Sequence, residues 1–520
     1  MKKVYIYDTT LRDGSQMNGI NFSVEDKLRI VSKLDEMGID YIECGWPGSN
    51  PKDEEFFKLV KMTKLNHSKI AAFGSTRHPK SKVEEDKNIL MLLEAKPDVV
   101  TIFGKSWDLH VETALEISLE ENIKVIEESI TYLKKNVKEV FFDAEHFFDG
   151  YKANKKYALE VVAAADKAGA DYIVLADTNG GTMYYEIGEI IDEVKKVVKK
   201  PIGIHAHNDS GMAVANSIEA VRKGATQIQG TMNGYGERCG NANLCEIIPN
   251  LHFKMGSDVL SGKINKLTKY SKFISEISNM SHPENMPYVG GSAFAHKGGI
   301  HVSAVMKDSS TYEHIEPEKV GNKRKVLISD LAGRSNIIYK ANELGIKLDK
   351  DNDVVKDITV RIKELENQGY EFEGADGSFE LILNEMMGKR KKYFEFKDFR
   401  MIIEKPSFSG ILSEATVKIE VKGEVVHTVA EGDGPVNALD CALRKALVPF
   451  YPQIKDIELI DYKVRVLNGK DGTAAKVRVL IETCDKNTRE RWSTIGVSEN
   501  IIEASWHALI DSIDYYLNRK

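Results

Sequence analysis

The first 255 residues of the chain alternate short apolar runs with longer amphipathic segments, and this alternation restricts the possible fold more than any other feature. Eight of the runs have the length and the β-branched or aromatic content of buried strands. They cover residues 4–8, 40–44, 69–74, 98–104, 139–144, 171–177, 201–207 and 226–232. Eight strand-and-helix repeats in about 250 residues predict a (β/α)8 TIM barrel. The alternative, a doubly wound open sheet, would need a glycine-rich phosphate turn after the first strand, where the chain has TTLRDG.

The segments between the strands carry helix signals. In residues 24–37, apolar side chains recur at helical spacing, Ser23 stands at the position of an N-cap, and Gly38 follows as a stop. This segment is therefore predicted to be an α-helix on the outside of the barrel.

The rest of the chain divides into two further regions. Residues 257–406 contain helical segments such as 265–279 and 353–367 between loops rich in Gly, Pro and His, which predicts a helical linker region after a barrel of residues 1–256. Residues 407–520 alternate as antiparallel strands do and include two helices, so an α+β domain is predicted there. Residues 427–443 can be aligned with residues 493–509, which indicates a weak internal repeat.

Composition and charge narrow the class of protein. Hydrophobic residues make up 42% of the chain and no apolar run approaches the roughly 18 residues of a membrane span, which predicts a cytoplasmic protein that does not contact a membrane. The net charge of -7 argues against nucleic acid as a partner, and the basic run 389–392 is interpreted as a solvated turn. The five cysteines are scattered and are expected to be reduced thiols.

A metal site is predicted where the first and last barrel strands meet. His205 and His207 are two residues apart in a strand and therefore point to the same side. Asp13 follows the first strand and Asn241 follows the eighth. Because barrel closure places these strands side by side, all four side chains are expected at the C-terminal face, where barrel active sites lie.

This ligand set suits Zn, Mn, Co or Mg without choosing among them, and it leaves coordination positions for water and substrate. An α-keto acid could fill two of those positions. Arg12 is a candidate for stabilising an oxyanion, although it could instead form a structural ion pair with Glu43. A non-haem iron oxygenase uses similar ligands, but nothing else in the sequence suggests oxygen chemistry.

Other polar residues follow further strands. Glu145 follows the fifth strand and is interpreted either as a proton-transfer group or as a residue that orients a neighbour. Asp177 and Thr178 follow the sixth strand, and the Thr178 hydroxyl could hold a substrate carboxylate. His301 and Tyr312 lie in loops rich in glycine and would, taken alone, be ordinary loop residues.

Five phrases of the sequence together resemble the isopropylmalate, homocitrate and citramalate synthase family of the DRE-TIM metallolyase superfamily. They are DTTLRDGSQ (8–16), HAHND (205–209), NGYGERCGNANL (233–244), HKGGIHVSAV (296–305) and YEHIEPEKVGN (312–322). The phrases GWPGSNPKD (45–53) and IFGKSWDLHV (102–111) are most similar to the citramalate branch. The resemblance covers almost the whole chain.

The resemblance implies a metal-dependent Claisen-type condensation of acetyl-CoA with an α-keto acid, pyruvate in the citramalate branch. It implies that the metal ligands are Asp13, His205 and His207, with Asn241 as an occasional fourth, and that the catalytic residues are Arg12, Glu145, His301 and Tyr312. The expected substrate-binding residues are Arg12, Gln16, Glu43, Phe103 and Thr178. Phe103 and Phe142 are hypothesised to restrict the acceptor to a methyl group, with barrel packing as the alternative role.

The resemblance also implies a homodimer and a C-terminal regulatory domain, for which isoleucine is the expected effector. Glycine-rich turns at 431–435 and 468–472 could present backbone donors to an amino-acid carboxylate. Three alternatives stay open from sequence: a synthase that uses a larger 2-oxo acid, a metal-dependent lyase of the same superfamily, and a non-catalytic amino-acid sensor.

Overall fold

A computed structural model describes residues 3–328, 333–348, 353–407, 410–467 and 474–519. These residues form two compact units, of which the first comprises Met1–Phe294 with Ile315–Lys323 and the second Ala295–His314 with Arg324–Lys520. Among the helices of the described residues, none is both long enough and apolar enough to cross a lipid bilayer.

The first unit contains a closed barrel of eight parallel strands. Its strands are β1 (Tyr5–Asp8), β2 (Tyr41–Glu43), β3 (Lys69–Ser75), β4 (Val99–Lys105), β5 (Glu139–Glu145), β6 (Tyr172–Asp177), β7 (Ile202–Ala206) and β8 (Gln227–Gly230). The ring closes where β1 pairs with β8, with Tyr5 opposite Gln227. Each strand overlaps a predicted one, so the predicted TIM barrel is confirmed.

Helices surround the barrel. They are α1 (Val24–Met37), α2 (Pro51–Val60), α3 (Lys87–Glu94), α4 (Asp108–His110), α5 (Leu119–Asn136), α6 (Phe147–Ala153), α7 (Lys155–Ala168), α8 (Tyr184–Val197), α9 (Ala213–Arg222), α10 (Leu244–Pro249) and α11 (Leu267–Ile277). The first helix has the predicted limits because the Ser23 hydroxyl accepts from the Asp26 N–H in a capping box and Gly38 adopts a left-handed φ of 96°.

The barrel strands are buried on both faces. Tyr7, Tyr41, Phe141 and Tyr172 fill the inside of the barrel. Phe142 is fully buried in the separate core between strands and helices. Because successive strand residues face opposite sides, Phe142 points away from the barrel interior, and its hypothesised place in the wall of a substrate pocket is wrong.

The second unit combines helices with two antiparallel sheets. Its helices are α12 (Gly299–Val305), α13 (Arg334–Glu343), α14 (Asp353–Asn367), α15 (Asp376–Met386), α16 (Pro435–Leu447) and α17 (Ile501–Arg519). Its strands are β9 (Ala295–His296), β10 (Lys325–Val326), β11 (Glu395–Glu404), β12 (Leu412–Val421), β13 (Glu424–Gly432), β14 (Ile457–Val466), β15 (Val477–Asp485) and β16 (Arg491–Ser498). The sheets have the orders β11-β12-β13 and β14-β15-β16, which confirms the predicted α+β class.

Besides the two-residue strands β9 and β10, two longer strands of this unit were not named in the prediction. Strand β11 lies inside the stretch interpreted as a helical linker, and β13 precedes α16. Both strands expose most of their residues to solvent, so their sequences mix charged and apolar side chains without the clear alternation that marks a half-buried strand.

The internal repeat has a counterpart in the hydrogen bonds. The Thr428 hydroxyl donates to the Ala442 carbonyl at 2.8 Å, and the Thr494 hydroxyl donates to the Ala508 carbonyl at 2.7 Å. Each bond ties the last strand of a three-stranded sheet to the helix that follows it. The two halves of the domain are therefore built in the same way.

The basic run 389–392 is held within the second unit. The Arg390 Nε atom donates to Asp514 at 2.8 Å, and its Nη1 atom donates to Glu385 at 2.9 Å. Most of the charge of this arginine is therefore balanced by neighbouring carboxylates.

Candidate active site

The turn after β1 is fixed by its own polar side chains. The Asp8 carboxylate accepts from the Thr10 N–H and hydroxyl, both at 2.9 Å. The Thr10 hydroxyl oxygen accepts from the Met232 N–H at 2.8 Å, which ties the turn to the segment after β8. The following residues, Arg12 and Asp13, are thereby held at the C-terminal mouth of the barrel.

Asp13, His205 and His207 form a compact buried cluster. Asp13 Oδ2 lies 3.1 Å from His205 Nε2 and 3.8 Å from His207 Nε2. The two Nε2 atoms are 3.3 Å apart, and none of the three residues is more than 5% exposed. One carboxylate and two imidazole nitrogens thus face a common point, as the sequence analysis expected.

The atoms of this cluster fit a divalent cation. Asp13 Oδ1 and Asn241 Oδ1 are buried and have no hydrogen-bond partner among the described residues. The Asn241 Nδ2 atom donates to Asp13 Oδ2 at 3.0 Å, so its amide oxygen would reach the cluster after rotation of the amide. Gly236 makes room for this amide, since a Cβ atom there would lie 1.9 Å from Asn241 Oδ1. Nitrogen and oxygen ligands of this kind suit Zn, Mn, Co or Mg.

The charges around the cluster also favour a cation. Burial opposes ionisation of Asp13, but Arg12 and the two histidines outweigh it and hold the pKa of Asp13 well below its usual range. Burial, with Glu43 close by, raises the pKa of Asp143 to about 7. Burial beside His205 lowers the pKa of His207 to about 4, which favours the neutral imidazole that a metal requires.

Arg12 is oriented by a buried carboxylate. Its Nε donates to Glu43 Oε1 at 2.6 Å, and its guanidinium stacks 3.7 Å from the centre of the Phe73 ring. Glu43 is fully buried, and its second oxygen accepts from the Tyr7 hydroxyl at 2.7 Å. The ion pair with Glu43 that the sequence suggested is present, and Arg12 also lines the cavity described below.

Glu145 and Thr178 are held by neighbouring strand ends. Glu145 is paired with Lys105, its cross-strand neighbour in β4. Thr178 Oγ1 accepts from the His146 N–H at 2.9 Å, and His146 adopts a left-handed φ of 54°. With its oxygen accepting this bond, the Thr178 hydroxyl keeps its proton for another acceptor.

A cavity of about 240 Å³ connects these groups. It is lined by Arg12, Asp13, Gln16, Trp46, Phe73, Phe103, Asp143, Glu145, Ala176, Thr178, His205, His207 and Glu237. Trp46, Phe73 and Phe103 pack together as an aromatic wall, with ring centres 5.4 to 6.0 Å apart. Of the substrate-binding set expected from sequence, Gln16, Phe103 and Thr178 line the cavity with Arg12, whereas Glu43 lies behind Arg12.

His301 and Tyr312 belong to the second unit. Their rings are stacked with centres 4.2 Å apart, and Tyr312 is 46% exposed. Close to them in sequence, His296 contacts Glu313 at 3.0 Å, and the same carboxylate binds Arg324. The structure thus brings His301 and Tyr312 together as an exposed pair.

Sequence reasoning missed four polar residues of the mouth: Lys105, Asp143, Gln229 and Glu237. Asp143 and Gln229 lie inside strands, where the surrounding apolar run hides them, whereas Lys105 is the last residue of β4 and Glu237 lies in the loop after β8. Asp177, which was singled out, is instead bound by the Thr182 hydroxyl at 2.8 Å and orders the loop after β6.

Comparison with known proteins agrees with this architecture. The HMGL-like family model matches residues 3–275, the homocitrate synthase post-HMGL domain-like model 288–370, and the LeuA allosteric (dimerisation) domain 373–517. The chain is 57% identical to an (R)-citramalate synthase of Geobacter sulfurreducens, over 100% of this chain and 98% of the relative. It is 57% identical to that of Aquifex aeolicus, over 99% and 98%. A 2-isopropylmalate synthase of Methanocaldococcus jannaschii is 35% identical over 100% and 95%.

These matches define an HMGL-like barrel protein with a LeuA-type C-terminal domain, which is the class that the fold and the metal-ligand cluster already indicated. Within that class, the chain belongs to the (R)-citramalate synthase family. The family and the acyltransferase class predicted from the sequence motifs are thereby confirmed.

Proposed function

We propose that the protein condenses acetyl-CoA with pyruvate and water to give (R)-citramalate and free CoA. The methyl carbon of acetyl-CoA loses a proton and forms a bond with the keto carbon of pyruvate, whose C=O π bond opens so that its oxygen takes up a proton. Water then cleaves the thioester, which gives the new carboxylate and releases the CoA thiol. The observation that carries this proposal is the placement of Asp13, His205 and His207 in one cavity with Arg12 and Thr178.

In this proposal Asp13, His205 and His207 hold the divalent ion, with Asn241 as a possible fourth ligand. An ion bound there would polarise the keto group of the acceptor. Arg12, fixed by Glu43, donates N–H bonds to the oxygen on which negative charge develops.

The remaining roles follow from hydrogen-bonding capacity. Thr178 donates its free hydroxyl proton to the pyruvate carboxylate, and Gln16 lines the same cavity. Glu145, held by Lys105, takes part in proton transfer. His301 and Tyr312 assist in activating acetyl-CoA.

The acceptor is proposed from the aromatic wall. Phe103 stacks on Phe73 and packs against Trp46, so the three rings support one another along one side of the cavity, where they would oppose entry of a branched side chain. A site of this kind discriminates single methylene groups by about 1 to 3 kcal/mol.

The test is a panel of acceptors with release of the CoA thiol as the readout. Pyruvate, 2-ketoisovalerate and 2-ketoglutarate are compared at equal acetyl-CoA, and the highest kcat/KM is expected with pyruvate. A preference for either larger acid would replace this proposal with an isopropylmalate or homocitrate synthase, and thiol release that needs no acceptor would reject condensation.

Regulation is proposed to act through the second unit, as a homodimer inhibited by isoleucine. The matched LeuA domain supports it, as does a groove of about 630 Å³ that includes Val436, Val448 and Tyr462. The glycine-rich turn at 431–435 is described, whereas the turn at 468–472 lies outside the described residues.

Val436→Trp would fill the groove, so isoleucine inhibition should be lost while activity without isoleucine is retained. Unchanged inhibition would reject this location of the effector.

A further inference from the structure

The side-chain amide of Gln229 bridges a carboxylate and one of the candidate metal ligands. Gln229 lies in β8 and is fully buried. Its Nε2 atom donates to Asp143 Oδ1 at 3.1 Å, and its Oε1 atom lies 2.9 Å from His205 Nδ1. A continuous line of hydrogen bonds therefore connects β5, β8 and β7 across the mouth of the barrel.

The polarity of this line is set at its carboxylate end. When Asp143 is ionised it can only accept, so the donor end of the Gln229 amide then faces Asp143 and the acceptor end faces His205. The Nδ1 atom of His205 must then carry the proton. A neutral imidazole has one N–H, so Nε2 keeps its lone pair, and this is the nitrogen that lies 3.1 Å from Asp13 Oδ2.

We propose that Asp143 and Gln229 are positioning residues that fix the tautomer of His205 in which Nε2 can bind the metal. This inference rests on the metal site of the proposed function. The support is specific to one ligand, because the Nδ1 atom of His207 is buried without a hydrogen-bond partner among the described residues. His205 is thus the ligand whose orientation and tautomer are predetermined by the fold.

The proposal can be tested by removing the group that fixes the direction of this line of hydrogen bonds without changing its shape. In Asp143→Asn, either the oxygen or the nitrogen of the new amide can face Gln229, so the direction of the line is no longer fixed and the proton of His205 can move to Nε2. Adding Gln229→Glu to this variant restores the original direction, because the new carboxylate accepts from both neighbours. The two substitutions together keep the number of side-chain atoms and the total charge.

The experiment measures how tightly Mn²⁺ binds to the metal-depleted protein. Electron paramagnetic resonance monitors the binding, and no substrate is added. Asp143→Asn is expected to raise the Kd about 10- to 100-fold, the usual effect of substituting an outer hydrogen-bond partner of a metal ligand. The double variant is expected to recover most of that loss. Asp35→Asn is the matched control: Asp35 is a buried carboxylate that binds the backbone N–H groups of residues 66–68, and its loss should leave the Kd unchanged.

Two results would overturn the proposal. One is an Asp143→Asn protein that binds Mn²⁺ as tightly as the wild type; the other is a double variant that binds no better than Asp143→Asn. Since no substrate is present, a failed acceptor panel leaves this inference standing, whereas a wild type that binds no Mn²⁺ would remove the metal site on which it rests.

Discussion

The mouth of the barrel and the sheets of the second unit use polar residues in opposite ways. At the mouth, Asp13, Glu43 and Asp143 are at most 5% exposed, and each contacts a specific partner. In the second unit the strands keep one face toward solvent, as in β12, where buried residues alternate with partly exposed ones. At the mouth, single hydrogen-bonding atoms determine the orientation and charge of the neighbouring side chain. The stability of the second unit, by contrast, depends mainly on how much apolar surface it buries.

This difference sets what substitutions should do. A buried charge that loses its partner has no water to replace it, so changes at the mouth are expected to act on chemistry. When a side chain on the exposed face of the second unit is changed, water can replace the contacts that are lost, so a small effect on stability is expected. The predictions that follow test this contrast in order of expected effect.

The largest effect is expected from removing a metal ligand. His205→Ala should lower kcat/KM at least about a thousandfold, because the polarisation supplied by a bound ion is worth several kcal/mol. Metal content and thiol release measure the two consequences separately. His67→Ala removes a histidine that is 33% exposed and lies outside the cavity, and it should retain activity. Full activity of His205→Ala would contradict the role of His205 as a metal ligand, and with it the claim that buried polar residues at the mouth act on the chemistry.

The second prediction compares packing in the two regions. Phe142→Ala opens a cavity in the fully buried layer outside the barrel and should lower the free energy of unfolding by about 3–5 kcal/mol. Val464→Thr, at a strand residue that is 42% exposed, should change it by less than about 0.5 kcal/mol. Urea unfolding measures both. A large loss with Val464→Thr would indicate that this face is covered in the assembled protein.

The same contrast explains which features of the fold could be predicted from the sequence. All eight barrel strands were predicted, because a strand buried on both faces is a continuous apolar run that polar loops interrupt. For that same reason the facing of each residue could not be predicted: in EVFFDAE, Phe142 was chosen as the pocket wall, whereas Asp143 lines the cavity. Without alternation in polarity, nothing in a single sequence fixes the phase of such a strand.

The candidate site was predicted mainly at residues that end or follow a strand, and Asp143 and Gln229, which lie further inside their strands, were missed. Asp13, His205 and His207 stand at strand ends, and barrel closure brings such positions together. Gln229 and Lys105 act through partners in other strands, which only the three-dimensional register supplies. Strand β11 was missed because its solvent-exposed residues follow no simple period.

The third prediction concerns pH. Burial raises the pKa of Asp8 to about 7, against roughly 3.9 for an exposed aspartate. The folded protein therefore keeps a proton that the unfolded chain releases above about pH 4, so the free energy of unfolding should fall as pH rises from about 4 to 7. The contribution is at most about 4 kcal/mol at one pKa unit per 1.36 kcal/mol. Asp8→Asn should flatten this slope, as measured by urea unfolding at several pH values; an unchanged slope would contradict the assignment.

The smallest effect is expected on the choice of acceptor. Phe103→Ala removes one ring from the aromatic wall while leaving Trp46 and Phe73 in place, so the ratio of kcat/KM for 2-ketoisovalerate over pyruvate should rise by about tenfold, within the 1 to 3 kcal/mol that a methylene-sized change gives. Phe396→Ala removes a ring of the same size that is 40% exposed in the second unit, and the ratio should not change. If both variants shift the ratio equally, acceptor choice is not set at the barrel mouth, and the separation of roles between the two regions fails.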